Sequence, residues 1–287
     1  MIAGFERGLL RLGAAEIAYQ AGGAGPPLLL LHGFPQTRAM WARVAPEMAK
    51  THRVICADLR GYGQSRGPDS VAAQSFREMA TDMVALMGHL GYDAFDLVGH
   101  DRGGRCAHRL ALDAPERVKS LILMDIIPTH LLLDQLEQKV AKAYYHWFFL
   151  AQPAPFPERL IAADPDFYFE SCLLGWGASR IEDFAPDQLA AYRQAWRRPE
   201  VIGAMCNDYR AALEVDFALD QADLERRLAC PTLVLWGADG AMGQAFDVVE
   251  TWKDRCADLC GQAVPGGHFF VDTNPSETLQ ALRGFLA

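Results

Sequence analysis

Leu97-Val98-Gly99-His100-Asp101-Arg102-Gly103-Gly104 decides the reading of this chain. An apolar run, Phe95–Val98, ends in Gly-His-Asp, and a helical pattern over Arg102–Leu112 follows at once. The spacing G-x-Nu-x-G is that of a nucleophile elbow. Small residues let the backbone turn sharply, so the middle side chain stands up at the sheet edge. The middle residue is Asp101, where serine is the more familiar occupant. The helix that starts here offers unpaired N–H groups and the positive end of its dipole, and both favour the ionised, nucleophilic carboxylate. Aspartate is also a common helix N-cap, and the pentapeptide alone leaves that alternative open.

Other short apolar runs have the same form. Leu28–Leu31 ends in His-Gly, Val54–Leu59 carries Asp58, Leu121–Met124 ends at Asp125, and Thr232–Trp236 ends in Gly-Ala-Asp. Such runs predict strands buried on both faces. Helical patterns over Met40–Lys50, Phe76–Leu90, Arg102–Leu112 and Glu277–Leu286 lie between or after them. Alternating strand and helix predicts an α/β fold with a doubly wound, mostly parallel sheet. After Asp125 the alternation stops. The stretch to about Val215 holds no clear strand, is rich in Tyr, Trp and Phe, and is punctuated by Pro153, Pro155, Pro157 and Pro165. It reads as an inserted helical cap. The expected organisation is core 1–127, cap 128–215 and core 216–287. Ligands of open α/β sheets sit beyond the carboxyl ends of the strands.

A chain of 287 residues, half of them hydrophobic, suits one globular α/β unit with an insertion. A net charge of −9 opposes binding to nucleic acid or an anionic membrane surface, though a local arginine pair can still hold a small anion. The N-terminus MIAGFERGLL has no basic start and no long apolar run, so no secretory signal is read, and no stretch approaches the roughly 20 apolar residues of a membrane span. Seven cysteines lack paired spacing. Cys256 and Cys260 lie four apart without a second ligand pair, so free thiols in a reducing cytoplasm are expected and no metal site.

Attack by a carboxylate on a saturated carbon leaves an alkyl ester on the enzyme, which water must then cleave. That step needs a base and an oxyanion site. His268, in Pro265-Gly266-Gly267-His268-Phe269-Phe270, is the candidate base. Asp125 or Asp239 could orient it; Asp239 could equally be a turn residue. The backbone N–H groups of Phe34 and Arg102 are the expected oxyanion donors. Arg102 and Arg105 lie three apart on one helix face and suit a carboxylate held by guanidinium forks, or alternatively surface pairing with acids. Arg109, one turn on, is expected to pair structurally. In the cap, His146, Trp147 and Tyr209 can each donate one hydrogen bond to a departing anion, although aromatic cap residues also serve as packing.

Together these segments resemble the fluoroacetate dehalogenases of the α/β-hydrolase superfamily over nearly the whole chain. The likeness rests on His32-Gly33-Phe34-Pro35-Gln36-Thr37, Asp58-Leu59-Arg60-Gly61-Tyr62-Gly63-Gln64-Ser65, Gly99–Arg105, Met124-Asp125-Ile126-Ile127-Pro128-Thr129, Tyr145-His146-Trp147, Ala151-Gln152-Pro153-Ala154-Pro155 and Asp208-Tyr209-Arg210. The second of these and the His-Gly motif are widespread in the superfamily; the arginine pair with His146-Trp147 and Tyr209 is much more specific. The resemblance implies the α/β-hydrolase fold, Asp101 as nucleophile, His268 as base and Asp125 as orienting acid. It implies Arg102 and Arg105 on the carboxylate of a small haloacid, His146, Trp147 and Tyr209 on the halide, and Trp176 lining the pocket. It implies no cofactor and a homodimer. The chain departs from the pattern at Gly104, where alanine is expected, at Arg60, where proline is frequent, and in a short segment after Asp239. These departures leave halide preference open.

Two other functions compete. An epoxide hydrolase would share the fold, nucleophile and ester intermediate, but a neutral epoxide would leave two arginines unpaired. A non-catalytic binding protein on the same scaffold would be expected to have lost a member of the set Asp101, His268 and acid. A serine esterase is disfavoured by the residue at the elbow. Neutral His268 is the active form of the base, so the rate should fall in acid, near pH 6.5 if nothing perturbs the ring.

Overall fold

The computed structural model describes residues 2–134, 137–177 and 179–287. Its strands are β1 (Glu6–Leu12), β2 (Ala15–Gly22), β3 (Pro27–Leu31), β4 (Arg53–Ala57), β5 (Phe95–His100), β6 (Val118–Met124), β7 (Thr232–Gly237) and β8 (Leu259–Val264). They form one sheet in the order β1-β2-β4-β3-β5-β6-β7-β8. From β4 onward in that order the strands run parallel, while β1 and β2 add an antiparallel edge. This is the α/β-hydrolase architecture expected from the sequence.

The apolar runs became the central strands β3 to β7, and their buried residues include Leu28–Leu31, Val54–Ala57 and Leu121–Met124. Of the strands that carried no apolar run, β1 and β8 form the two sheet edges, while β2 lies between β1 and β4. In β1 only Leu10 is buried, and in β8 only Val264. An edge strand needs no continuous apolar stretch. The helical pattern over Met40–Lys50 is corrected: a 3₁₀ turn, Arg38–Arg43, is followed by a single α-turn, Ala45–Met48. Pro46 cannot donate to a continuing ladder, so it starts a new turn instead. The helices Phe76–His89, Arg102–Asp113 and Pro275–Phe285 fall within two residues of expectation.

Between β6 and β7 the described residues form helices from Thr129–Asp134 through Phe217–Ala222, with no strand. Prolines occupy first-turn positions of Phe156–Ala163, Pro165–Gly175, Pro186–Trp196 and Pro199–Ala211. There the missing N–H is one the helix would leave unpaired anyway. No helix among the described residues is long and apolar enough to cross a membrane.

Two glycines allow the close approach on which the elbow rests. A Cβ on Gly99 would lie 2.3 Å from the Gly103 carbonyl oxygen, and one on Gly103 would lie 2.3 Å from the His32 carbonyl oxygen. Both obstacles are backbone, so neither can swing away. Gly99→Ala is expected to destabilise the fold by about 1–3 kcal/mol, the usual cost of overpacking, and so to lower Tm by several degrees. Thermal unfolding checks this; an unchanged Tm would contradict the packing described.

Candidate active site

The strand-to-helix turn holds Asp101 at φ 47°, ψ −115°, a conformation that L side chains rarely adopt. Its side chain caps no N–H of the helix it precedes. Instead Oδ2 accepts the Phe34 N–H at 2.9 Å, so the N-cap alternative does not describe this carboxylate. Burial alone would raise its pKa, but the charges of His268, Arg102 and Arg105 outweigh that and hold it below the ordinary aspartate range. Asp101 is therefore ionised at neutral pH. The loop that supplies Phe34 is itself pinned. His32 Nδ1 bonds the Gly33 carbonyl at 3.0 Å, and Nε2 accepts the Leu59 N–H at 3.1 Å.

His268 lies between β8 and the short helix Phe270–Thr273. Its Nδ1 donates to Asp125 Oδ2 at 2.5 Å, and Asp125 Oδ1 accepts the Gly237 N–H at 2.9 Å. Asp239, the other candidate acid, spends Oδ2 on the Gly266 N–H at 3.2 Å. Asp125 is thus the carboxylate that faces the imidazole, leaving Nε2 free on the other side of the ring. Burial pulls the His268 pKa down, but the hydrogen bond and charge of Asp125, helped by Asp101, leave it raised above 6.5. His100 Nε2 donates to the His268 main-chain oxygen at 2.8 Å, fixing that residue from behind. Burial lowers the His100 pKa to about 4, so that ring stays neutral.

Arg102 and Arg105 are both buried rather than at the surface. Arg102 is gripped by a residue for which the sequence had suggested no role. Its Nε donates to Asp208 Oδ2 at 2.9 Å and its Nη2 to the Asp208 main-chain oxygen at 3.0 Å, and Nη2 also pairs with Asp208 Oδ1. Tyr62 donates a further bond to Asp208 Oδ2 at 2.6 Å. Arg102 Nη1 is left without a partner among the described residues. Arg105 Nη1 donates to the Ile127 carbonyl at 3.0 Å and to Thr129 Oγ1 at 2.9 Å, and its Nε is unpartnered. Burial and then the charge of Arg102 pull the Arg105 pKa down to about 10. The pair therefore still favours a further anion. Arg109 bonds Asp113 at 2.9 Å and Asp223 at 2.6 Å, away from the elbow.

Residues of the helices between β6 and β7 gather around the same point. The Tyr209 ring lies edge-on to Trp147 and His146, at centroid distances of 5.4 and 5.5 Å, and 5.2 Å from Phe34. The Arg102 guanidinium stacks over Tyr209 at 4.2 Å and over Trp147 at 4.8 Å, and Arg105 stacks over Trp147 at 4.8 Å. Tyr209 Oη and His146 Nδ1 are buried and unpartnered among the described residues. Burial holds His146 neutral and the Tyr209 phenol protonated, so both can donate. Trp176 packs on His146 at 4.2 Å and edge-on to His268 at 5.4 Å, and it spends its indole N–H on the Ala143 carbonyl. A pocket is lined by Asp101, Asp125, Tyr144, His146, Trp176 and His268. Tyr144 had not been singled out from the sequence; its position directly before Tyr145-His146-Trp147 was the available sign. A separate hollow near Arg38 and Arg198 lies away from these groups. Its buried arginine, Arg38, is already paired with Asp58 and Gln64.

Asp208 offsets a fully buried cation. Asp208→Ala is expected to cost about 3–5 kcal/mol, because Arg102 would keep its charge without a partner. Denaturant unfolding measures this, and a loss below about 1 kcal/mol would contradict the pairing.

Residues 26–275 match the family model of the α/β-hydrolase fold. Over 290 aligned residues the chain is 51% identical to a fluoroacetate dehalogenase from Burkholderia sp, covering 100% of this chain and 95% of that one. It is 31% identical over 272 residues to a soluble epoxide hydrolase from Corynebacterium sp. (strain C12), covering 94% and 93% of the two chains. The crystal structure of an α/β hydrolase from Nostoc sp PCC 7120 superposes with a TM-score of 0.98 at 47% identity, covering 100% and 99%. The chain belongs to the α/β-hydrolase superfamily and, within it, to the fluoroacetate dehalogenase family.

Proposed function

We propose that this enzyme hydrolyses a small haloacid, such as a haloacetate, to glycolate and halide through an ester on Asp101. One observation carries the reading: a buried, ionised aspartate shares its helix start with two buried arginines, each of which keeps an unpartnered N–H. A neutral substrate would leave those donors unanswered. A carboxylate satisfies them and brings its α-carbon to Asp101.

In the first step an Asp101 carboxylate oxygen attacks the α-carbon opposite the carbon–halogen bond. That bond breaks, and the halide leaves with the electron pair toward His146, Trp147 and Tyr209. Donors that meet charge as it develops lower the barrier most for a poor leaving group such as fluoride. In the second step His268 Nε2 takes a proton from water, and the hydroxide adds to the Asp101 ester carbonyl. The Phe34 N–H, already on Asp101 Oδ2, holds the resulting oxyanion, with the Arg102 amide as the second donor. Collapse expels glycolate, which takes the proton from His268. Asp101 returns to its carboxylate, and one proton and one halide are released per turnover. Family membership also supports a cap over residues 128–215, a homodimer in solution and a cytoplasmic location.

A second reading, epoxide hydrolysis, is favoured by the unpartnered hydroxyl of Tyr209 and by Tyr144 in the pocket, since cap phenols could protonate an epoxide oxygen. The arginine pair argues against it. Halide release from fluoro-, chloro- and bromoacetate, with an epoxide assayed in parallel, separates the two; epoxide opening without any halide release would replace the proposal.

Asp101→Ala is expected to abolish halide release, and residual turnover near wild type would remove Asp101 as nucleophile. His268→Ala should accumulate a carboxymethyl ester on Asp101, visible as added mass in intact-protein mass spectrometry. The base must be neutral and its pKa is raised, so activity should fall as pH drops, with its half-point above 6.5. A pH–rate profile with its acidic half-point below 6.5 would contradict the role of Asp125 in setting the ring.

A further inference from the structure

Outside the reacting groups, one buried carboxylate ties the segment that carries His268 to the loop that carries the Phe34 amide and to a helix between β6 and β7. Asp272 lies in Phe270–Thr273, four residues after His268. Tyr192, on the helix Pro186–Trp196, donates its hydroxyl to Asp272 Oδ1 at 2.6 Å. Gln36, two residues after Phe34, donates from Nε2 to Asp272 Oδ2 at 2.6 Å and to the Tyr192 hydroxyl at 3.2 Å. The Gln36 N–H also bonds the Gly33 carbonyl at 2.9 Å, closing the turn that presents the Phe34 amide. All three side chains are fully buried.

We propose that Asp272 is a positioning residue whose carboxylate, bonded by Tyr192 and Gln36, locks the inserted helices and the Phe34 loop to the segment that carries His268. Both partners are neutral donors. Burial pushes the Asp272 carboxyl up to about 7 even though Tyr192, Gln36 and Arg43 act to lower it. A cluster that only filled space would be cheaper in apolar form, because desolvating a carboxylate with neutral partners is unfavourable. What the carboxylate adds is register: three segments distant in sequence meet at one point, and two of them lie within four residues of Phe34 and His268. Errors of about an ångström at such groups cost on the order of a hundredfold in rate.

The kinetic part of the test rests on the dehalogenase reading; the exchange part does not. Tyr192→Phe keeps the ring and removes one bond. It should lower kcat on chloroacetate about tenfold or more with KM within about twofold, as expected when oriented groups shift by a fraction of an ångström. Amide hydrogen exchange should speed up together in residues 33–37, 186–196 and 268–273. Adding Gln36→Ala to Tyr192→Phe should cost less than the sum of the single effects, because both act on one carboxylate. An unchanged kcat in folded Tyr192→Phe, or faster exchange confined to 186–196, would overturn the proposal. Should Tyr192→Phe not fold, Gln36→Ala gives the same readouts. If the wild-type enzyme releases no halide from any haloacetate, the dehalogenase reading fails while the exchange pattern still decides the lock.

Discussion

The structure is organised around one unfavourable act, the burial of an ionised aspartate. Asp101 cannot remain charged in a desolvated site without compensation, and the surrounding groups supply it. The Phe34 amide binds one oxygen, and His268, Arg102 and Arg105 together outweigh the desolvation. Each compensating group then needs support of its own. Arg102 takes Asp208, which takes Tyr62, and His268 takes Asp125, which takes the Gly237 amide. Among the described residues Arg105 has no carboxylate of its own, and burial with the charge of Arg102 pulls it down to about 10. In the proposed reaction the substrate carboxylate answers this pair.

A parallel sheet makes such a cluster possible because it sends the carboxyl ends of its strands to one side. The Phe34 loop follows β3, Asp101 follows β5, Asp125 follows β6, and His268 lies beyond β8. The elbow adds the last requirement. At φ 47° the backbone is strained, and the approach of β5, the helix and the His32 loop admits no side chain at Gly99 or Gly103. The polar contacts that hold the inserted helices above the cluster, Asp208 on Arg102 and Tyr192 on Asp272, reach core residues directly.

Much of this was legible in the sequence, for a physical reason. Strands buried on both faces must be apolar and must stop abruptly, so β3 to β7 and the residues at their ends stood out. The edge strands β1 and β8 did not, because exposure frees them from that pattern, and β2, though mostly buried, did not because Glu16, Tyr19 and Gln20 interrupt its apolar residues. Pro46 broke a helix that apolar spacing had suggested. Between Asp125 and Asp239 the residues alone could not choose, since each ends a strand; the hydrogen bonds of Gly237 and Gly266 separate them only in space. The Arg102–Asp208 pair spans 106 positions, and no local pattern announces it. The same holds for Gln36, Tyr192 and Asp272, ordinary polar residues until the fold brings them together.

The central claim is that Asp101, and not water, attacks the substrate carbon. A single turnover in water labelled with heavy oxygen, with enzyme in excess over chloroacetate, tests it directly. Attack by Asp101 predicts glycolate that carries an unlabelled carboxylate oxygen from the enzyme, with the label appearing in the peptide that contains Asp101. Labelled glycolate in the first turnover, with an unlabelled Asp101 peptide, would contradict it.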